Sequence, residues 1–293
     1  MKIKLIPITL FLSLVCQITQ AEKSNPDFHT IADLHQVNTV MNEIDLPEQS
    51  LVVVDIDDTL LEAADFVGSD KWYRWQRGTN MQTGDGKPLI IKEDEKFHCL
   101  FSTLGVLFDL GQGHATQTDA PAWLEALLQK GINVLLLTSR SPDYRGATER
   151  ELKKAGFNWQ QGHLLANTQA LAFSLNDGRR NANVSYQNGI VMSSGLNKGM
   201  VLKDLLKRLN RNYSNIYFVD DGLKNINNML AAYKNDTSKS DSSRMHAFHY
   251  LKVSKAISFQ EVAQSNRSKA QLEGFMRAAF PKKASAFAAG DCN

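Results

Sequence analysis

The sequence predicts an α/β protein built on a parallel sheet, on two observations. Short continuous apolar runs rich in β-branched residues recur at Leu51 to Ile56, Ile132 to Leu137 and Ile216 to Val219. Such runs mark strands buried on both faces of a parallel sheet. Helical patterns at Pro121 to Lys130 and Lys198 to Leu209 lead into the later two runs, and this alternation is the signature of βα units.

The elements follow in order. Residues 29–42 place Ile31, Leu34, Val37 and Met41 at helical spacing, which predicts an amphipathic helix ahead of the first strand. The helix at 121–130 has start signals in Asp119 and Pro121 and a stop signal in Gly131. Residues 145–155 read as a helix ended by Gly156, and 224–234 as another. Between 157 and 196 the pattern is looser, with Asn176-Asp177-Gly178 as a hairpin turn and Tyr186 to Met192 as a strand. Residues 235–244 are polar enough for an exposed loop, 246–253 read as a late strand, and 259–279 as a C-terminal helix. Residues 62–118 fit neither alternation and far exceed a βα loop of ~2–6 residues. They read as an inserted subdomain, with Trp72, Tyr73, Trp75, Phe97, Phe101 and Phe108 to build its own core.

The 293 residues are 43% hydrophobic and 22% charged, a globular balance. The first 21 have the shape of an export signal: Lys2 and Lys4, an apolar stretch from Leu5 to Cys16, then Gln17-Ile18-Thr19-Gln20-Ala21. Cleavage after Ala21 is expected, because the apolar run is shorter than the ~20 residues of a membrane span and Glu22 and Lys23 follow at once. Val15 before Cys16 does not match the small residue of lipoprotein signals. The expected location is the periplasm or the exterior, with membrane contact only through the uncleaved signal. Loss of Lys2 and Lys4 lowers the 33 basic residues to match the 31 acidic ones. A formally neutral chain has no basic field with which to hold nucleic acid.

The chemistry concentrates at strand ends. The first strand runs into Asp55-Ile56-Asp57-Asp58-Thr59, and the run ending at Val219 is followed by Asp220-Asp221. Carboxylates at the C-terminal edge of a parallel sheet face its ligand crevice. Crowded acids raise one another's pKa unless a cation sits among them, and an all-oxygen set suits Mg²⁺. The third strand end, Thr138-Ser139-Arg140-Ser141, offers hydroxyls and N–H groups for an anion. Lys198 opens a helix, so its ammonium and the positive helix end face the same edge. An acid cluster, a metal, a hydroxyl and a lysine suit phosphoryl transfer.

In these motifs the chain resembles the haloacid dehalogenase (HAD) superfamily: Asp55-x-Asp57-x-Thr59, Thr138, Lys198 and Asp220-Asp221 appear in the superfamily's order, over roughly residues 50–255. The layout is similar to that of secreted bacterial acid phosphatases and of related exported proteins of unknown function. Ser139 is a departure, since those phosphatases carry glycine there. The resemblance implies a Rossmann-like core from 22–61 and 119–293, with 62–118 as a mainly helical cap. It also implies a Mg²⁺-dependent phosphatase acting on small phosphomonoesters. Asp55 would be the nucleophile and Asp57 the general acid and base. Asp55, the Asp57 carbonyl, Asp220 and, through water, Asp221 would hold Mg²⁺, and Thr138, Ser139 and Lys198 the phosphate.

Other readings stand beside these. Thr138 competes with Ser139 as the hydroxyl, Lys203 with Lys198 as the lysine, and Asp221 can cap the helix that follows. Trp72, Tyr73 and Trp75 either stack on a leaving group or form the cap's core, and Arg74 and Arg77 either meet a second anion or face solvent. His98, His114 and His163 show no paired metal spacing. After signal removal Cys99 and Cys292 are the remaining thiols, and an oxidising compartment permits a bridge between them. Two rival functions are a non-catalytic HAD-like binding protein and a phospho-receiver. Receivers carry the acidic pair on the first strand and the phosphoacceptor later, which disfavours the second rival.

Overall fold

The computed structural model describes residues 27–41, 47–158, 170–234 and 243–292. The segment 1–21, where an export signal is expected, His163 and most of the predicted polar loop, 235–242, lie outside the described residues. In chain order the first half of the chain comprises β1 (Asp27–Ile31), α1 (Gln36–Met41), β2 (Ser50–Val54), β3 (Leu61–Ala63), α2 (Asp70–Gln76), β4 (Met81–Gln82), β5 (Pro88–Leu89), α3 (Leu100–Leu110), β6 (Gly113–Ala115), α4 (Ala120–Gln129) and β7 (Asn133–Thr138). The second half adds α5 (Arg145–Lys154), β8 (Leu171–Asn176), β9 (Asn181–Gln187), β10 (Ile190–Met192), α6 (Lys198–Arg208), β11 (Asn215–Asp220), α7 (Leu223–Tyr233), β12 (Arg244–Tyr250), α8 (Phe259–Ala279) and α9 (Pro281–Ala288).

The main sheet has the order β1-β12-β11-β2-β7-β10-β9-β8. It is parallel from β1 to β10, and β9 and β8 add an antiparallel ribbon. The fold is therefore a Rossmann-like α/β sandwich with a largely parallel sheet. Each apolar run feeds two cores, because alternate side chains leave opposite faces. Val52, Val54, Val134, Leu136 and Val219 join Trp123, Leu124 and Leu127 of α4 on one face. Leu51, Val53, Leu135, Leu137 and Phe218 join α6 and α7 through Val201, Leu202, Leu205, Ile226 and Met229 on the other.

Gly199, in the first turn of α6, permits the closest helix contact on that second face. A Cβ built there would lie 2.6 Å from Ala232 Cβ and 2.7 Å from the Asn228 carbonyl oxygen. Since one obstacle is backbone, Gly199→Ala is expected to push α6 away from α7 and cost about 1–3 kcal/mol, read as a lowered urea midpoint.

Residues between β2 and α4 rise from the sheet's C-terminal edge. β3 and β6 pair antiparallel at the base, and α2, α3 and the β4–β5 hairpin project from it. Trp72 and Trp75 are fully buried there with Phe66, Met81, Phe97 and Leu104. These two tryptophans form the inner core of the insertion and expose no surface. α8, which the sequence reading placed with the main body, packs on this insertion instead: Trp72 Nε1 donates to Ser265 Oγ at 2.9 Å, and Val262 and Leu272 join its core. A Cys99–Cys292 disulfide ties the chain's end to the start of α3.

Two predicted elements are corrected. The helix expected over 29–42 is a strand, β1, followed by the shorter α1. Hydrogen bonding to the free edge of β12 outweighs the helical spacing, while Leu34, Val37 and Met41 still pack as that spacing required. The strand expected at 186–192 is two antiparallel strands, β9 and β10, reversed at Asn188 and Gly189. Both residues have positive φ (50° and 73°), as a tight hairpin turn of this hand requires. α9 was not anticipated. Among the described residues no helix is long and apolar enough to cross a membrane.

Candidate active site

The parallel strands β2, β7 and β11 end side by side, so residues far apart in sequence meet at one edge. Asp55 follows β2 directly, and its N–H donates to the Val219 carbonyl of β11 at 2.9 Å. Thr138 and Asp220 are the last residues of β7 and β11. Asp55, Thr138, Lys198 and Asp220 are all buried. Ser139 is exposed at the cavity wall, and its φ is negative, so the loop has no need of glycine at this position.

Three cations organise seven carboxylates. Lys198 Nζ lies 2.6 Å from Asp55 Oδ1 and 2.7 Å from Asp220 Oδ2. Lys203, the competing lysine, points elsewhere, its ammonium 5.1 Å from the centre of the Tyr233 ring. Arg140 contacts Asp57 through Nη2 at 2.7 Å and Nε at 3.1 Å, and Glu151 through Nη1 at 2.5 Å. Its guanidinium sits 4.0 Å from the Phe108 ring centre. Lys255 contacts Asp58, Asp70 at 3.0 Å and Asp221 at 2.6 Å. Hydrogen bonds finish the frame: Thr138 Oγ1 donates to Asp57 Oδ2 at 3.3 Å, and Asn225 Nδ2 and the Gly222 N–H donate to Asp220. The Asp221 N–H donates to Thr59 Oγ1.

The protonation balance follows from these neighbours. Burial, then the charge of Asp220, pushes the Asp55 carboxyl well above the ordinary carboxylate range, against the pull of Lys198. Burial likewise raises Asp58 to about 6 and Asp221 to about 7, with Lys255 opposing. Asp57 behaves oppositely. Burial works against its charge, yet the Arg140 guanidinium wins and holds it below the usual range.

Oxygen atoms of Asp55, Asp220 and Asp221 lie within 4.8 Å of one another. This all-carboxylate set fits a hard divalent cation, and its excess of negative charge over Lys198 leaves room for one. The Asp57 side chain is taken up by Arg140 and Thr138. A second carboxylate group, Asp58, Asp70 and Asp221, already surrounds the Lys255 ammonium.

Lys255 and Arg140 carry much of the site, although neither is among the residues that the sequence motifs single out. Arg140 sits inside the Thr138-Ser139-Arg140-Ser141 motif, so its place at the edge was legible. Lys255 follows the last strand with no local motif, and only the tertiary fold brings it to Asp58. It links the insertion, through Asp70, to the main body, through Asp58 and Asp221. Lys255→Met leaves three carboxylates facing one another; a loss of about 1–3 kcal/mol in urea denaturation is expected, smaller at pH values where Asp58 and Asp221 take up protons.

A cavity of about 690 Å³ lies between the insertion and the sheet edge. Asp57, Ser139 and Arg140 form its floor, Tyr73, Phe101, Phe108 and Tyr144 part of its walls. Arg77, Arg180 and Lys224 also line it and form no ion pair among the described residues.

Fold and site together define an α/β protein with a lysine-bridged carboxylate cluster at the C-terminal edge of its parallel sheet, roofed by an insertion. The chain belongs to the family described as Protein of unknown function (DUF2608), whose model matches residues 30–277. No curated protein matches it. Among solved structures it is similar to 3-deoxy-D-manno-octulosonate 8-phosphate phosphatase from Moraxella catarrhalis, in complex with magnesium ion, phosphate ion and KDO. That likeness covers 85% of this chain and 99% of the other at 12% identity, with a TM-score of 0.29, and at that level it assigns no activity.

Proposed function

We propose that the protein is an exported, Mg²⁺-dependent phosphatase of HAD type that hydrolyses phosphomonoesters through an aspartyl-phosphate. The observation that carries this reading is the convergence of Asp55 and Asp220, from two strand ends, on the buried Lys198, with an Asp221 oxygen within 4.8 Å of theirs. Asp55 attacks phosphorus, forming an O–P bond as the ester oxygen leaves. Asp57 gives that oxygen a proton and takes one from the water that later cleaves the acyl phosphate. Lys198 holds Asp55 in place and balances charge on the phosphoryl oxygens, and Thr138 and Ser139 present the strand-end hydroxyls. Asp55, the Asp57 carbonyl and Asp220 would hold Mg²⁺, with Asp221 assisting through water; when bound, the ion neutralises charge on the transferring phosphoryl group. Residues 62–118 act as the cap, and the signal at 1–21 directs the chain to the periplasm or beyond.

The cavity supports an anionic substrate. Arg77 and Arg180 line its wall with no ion pair among the described residues, so replacing both with Met is expected to raise KM for substrates carrying a second anionic group about 10-fold, with kcat little changed. Steady-state kinetics on paired substrates, with and without that group, read the difference.

One observation favours the second reading, a non-catalytic binding protein: the bidentate Arg140–Asp57 pair holds the proposed general acid in its ionised form. Phosphate release from a panel of phosphomonoesters, with Mg²⁺ and with chelator, decides between the two. Turnover that chelator removes supports the phosphatase. Phosphate or Mg²⁺ binding without turnover on any ester supports the binding protein.

A further inference from the structure

A second cluster lies away from this edge. β1 pairs with β12 so that Asp27 stands opposite His246 and His29 opposite Phe248, which puts Asp27, His29 and His246 on one face of the sheet. Ligating atoms of the three residues lie within 4.8 Å of one another. His246 pairs with Tyr217 of β11, three residues before Asp220; at ~3.3 Å per residue the cluster sits roughly 10 Å along the strands from the carboxylate edge, and β1 is two strands beyond β11.

We infer that Asp27, His29 and His246 form a binding site for a borderline transition-metal ion of the Zn²⁺ class. His246 is only 4% exposed, and its Nδ1 and the His29 Nε2 are buried with no hydrogen-bond partner among the described residues. A buried imidazole nitrogen left unpaired costs free energy, and ligation of a metal ion is one way such a nitrogen is satisfied. His246 Nδ1 lies 3.2 Å from Asp27 Oδ2 without hydrogen-bond alignment. Two ligands of a tetrahedral Zn²⁺, with bonds of ~2.0–2.1 Å, stand about 3.3–3.4 Å apart.

The neighbours fix the ligands. The His246 ring stacks on Tyr217 with centroids 4.8 Å apart and planes at 5°, and the His29 ring stacks on Phe248 at 4.8 Å and 18°. Arg244 Nη2 donates to Asp27 Oδ2 at 2.9 Å, orienting the carboxylate as outer partners of metal ligands do. Two imidazoles and one carboxylate select Zn²⁺ over Mg²⁺, which demands oxygen. The ion would fasten β1, held in the sheet on one side only, to β12. This inference does not depend on the phosphatase reading.

Zn²⁺ titration of the full protein by calorimetry, in excess Mg²⁺ to occupy the acidic edge, tests it. One equivalent is expected to bind wild type and Asp55→Asn alike and to raise both melting temperatures. His29→Phe keeps the ring stacking but removes the nitrogens, and Asp27→Asn removes the carboxylate charge; each is expected to weaken Zn²⁺ at least about 100-fold and abolish the thermal shift. Both positions are only partly buried, so these variants test the site while leaving the buried His246 itself unsubstituted. Absence of Zn²⁺ binding to wild type, binding that survives both substitutions, or binding lost with Asp55→Asn overturns the inference.

Discussion

Asp55→Asn is expected to lower phosphate release by about 10⁴-fold or more, because an amide oxygen cannot take over the nucleophilic role proposed for Asp55. The same substitution is expected to stabilise the metal-free protein at neutral pH. Burial and the neighbouring Asp220 hold the Asp55 carboxyl well above its ordinary range, so the folded state favours the protonated form. A carboxyl raised in this way costs stability once pH exceeds its unfolded value, and the cost grows until the folded group ionises too. Asn carries no such cost. Thermal melts without Mg²⁺ should therefore separate the variant from wild type at neutral pH and bring them together at acid pH. A loss of function coupled to a gain in stability is what a strained active-site charge predicts. An equal loss of both would point to a structural role for Asp55.

Lys198→Met carries the largest expected effect on stability, a loss of about 3–5 kcal/mol, because it leaves Asp55 and Asp220 buried without their shared cation. Its ammonium is fully buried, and the charges of Asp220 and Asp55 raise its pKa despite the opposing effect of burial. Urea denaturation measures the loss. Adding Mg²⁺ is expected to restore part of it in the variant, since a divalent ion among the same oxygens replaces the missing positive charge. Lys203→Met is the control and should stay within about 0.5 kcal/mol of wild type, because Lys203 faces Tyr233 rather than the cluster.

The parts of the fold that could be read in advance were those whose sequence pattern and tertiary role agree. The runs at 51–56, 132–137 and 216–219 are apolar throughout because both faces are covered, and they became β2, β7 and β11 at the centre of the sheet. The 259–279 helix was legible to the residue, aided by a capping box between Ser258 and Glu261. β1 was misread because an edge strand draws its hydrogen bonds from one neighbour, β12, over 200 residues away, and Ile31, Leu34, Val37 and Met41 happen to share helical spacing. The β9–β10 turn was a missed local signal, since Asn188-Gly189 is a strong hairpin dipeptide.

The site divides in the same way. Asp55, Asp57, Thr138, Lys198, Asp220 and Asp221 were visible because each sits at a strand end or helix start, where chain direction alone sets the edge it faces. The structure brings Asp55, Lys198 and Asp220 into direct contact and places Asp221 beside them. It puts Asp57 and Thr138 together under Arg140. Lys255, Glu151 and Asn225 were out of reach, since their roles depend on where a loop and two helices come to rest. The choice between Lys198 and Lys203 needed burial, and pairing of Cys99 with Cys292 needed distance.

The most direct test of the central claim is to quench wild-type turnover with acid in the presence of Mg²⁺ and locate any phosphoryl group by peptide mass spectrometry. The account predicts a phosphoryl group on the peptide carrying Asp55, on the Asp55 carboxylate itself, lost when Mg²⁺ is chelated. Turnover that leaves Asp55 unmodified and continues at full rate in Asp55→Asn would contradict it.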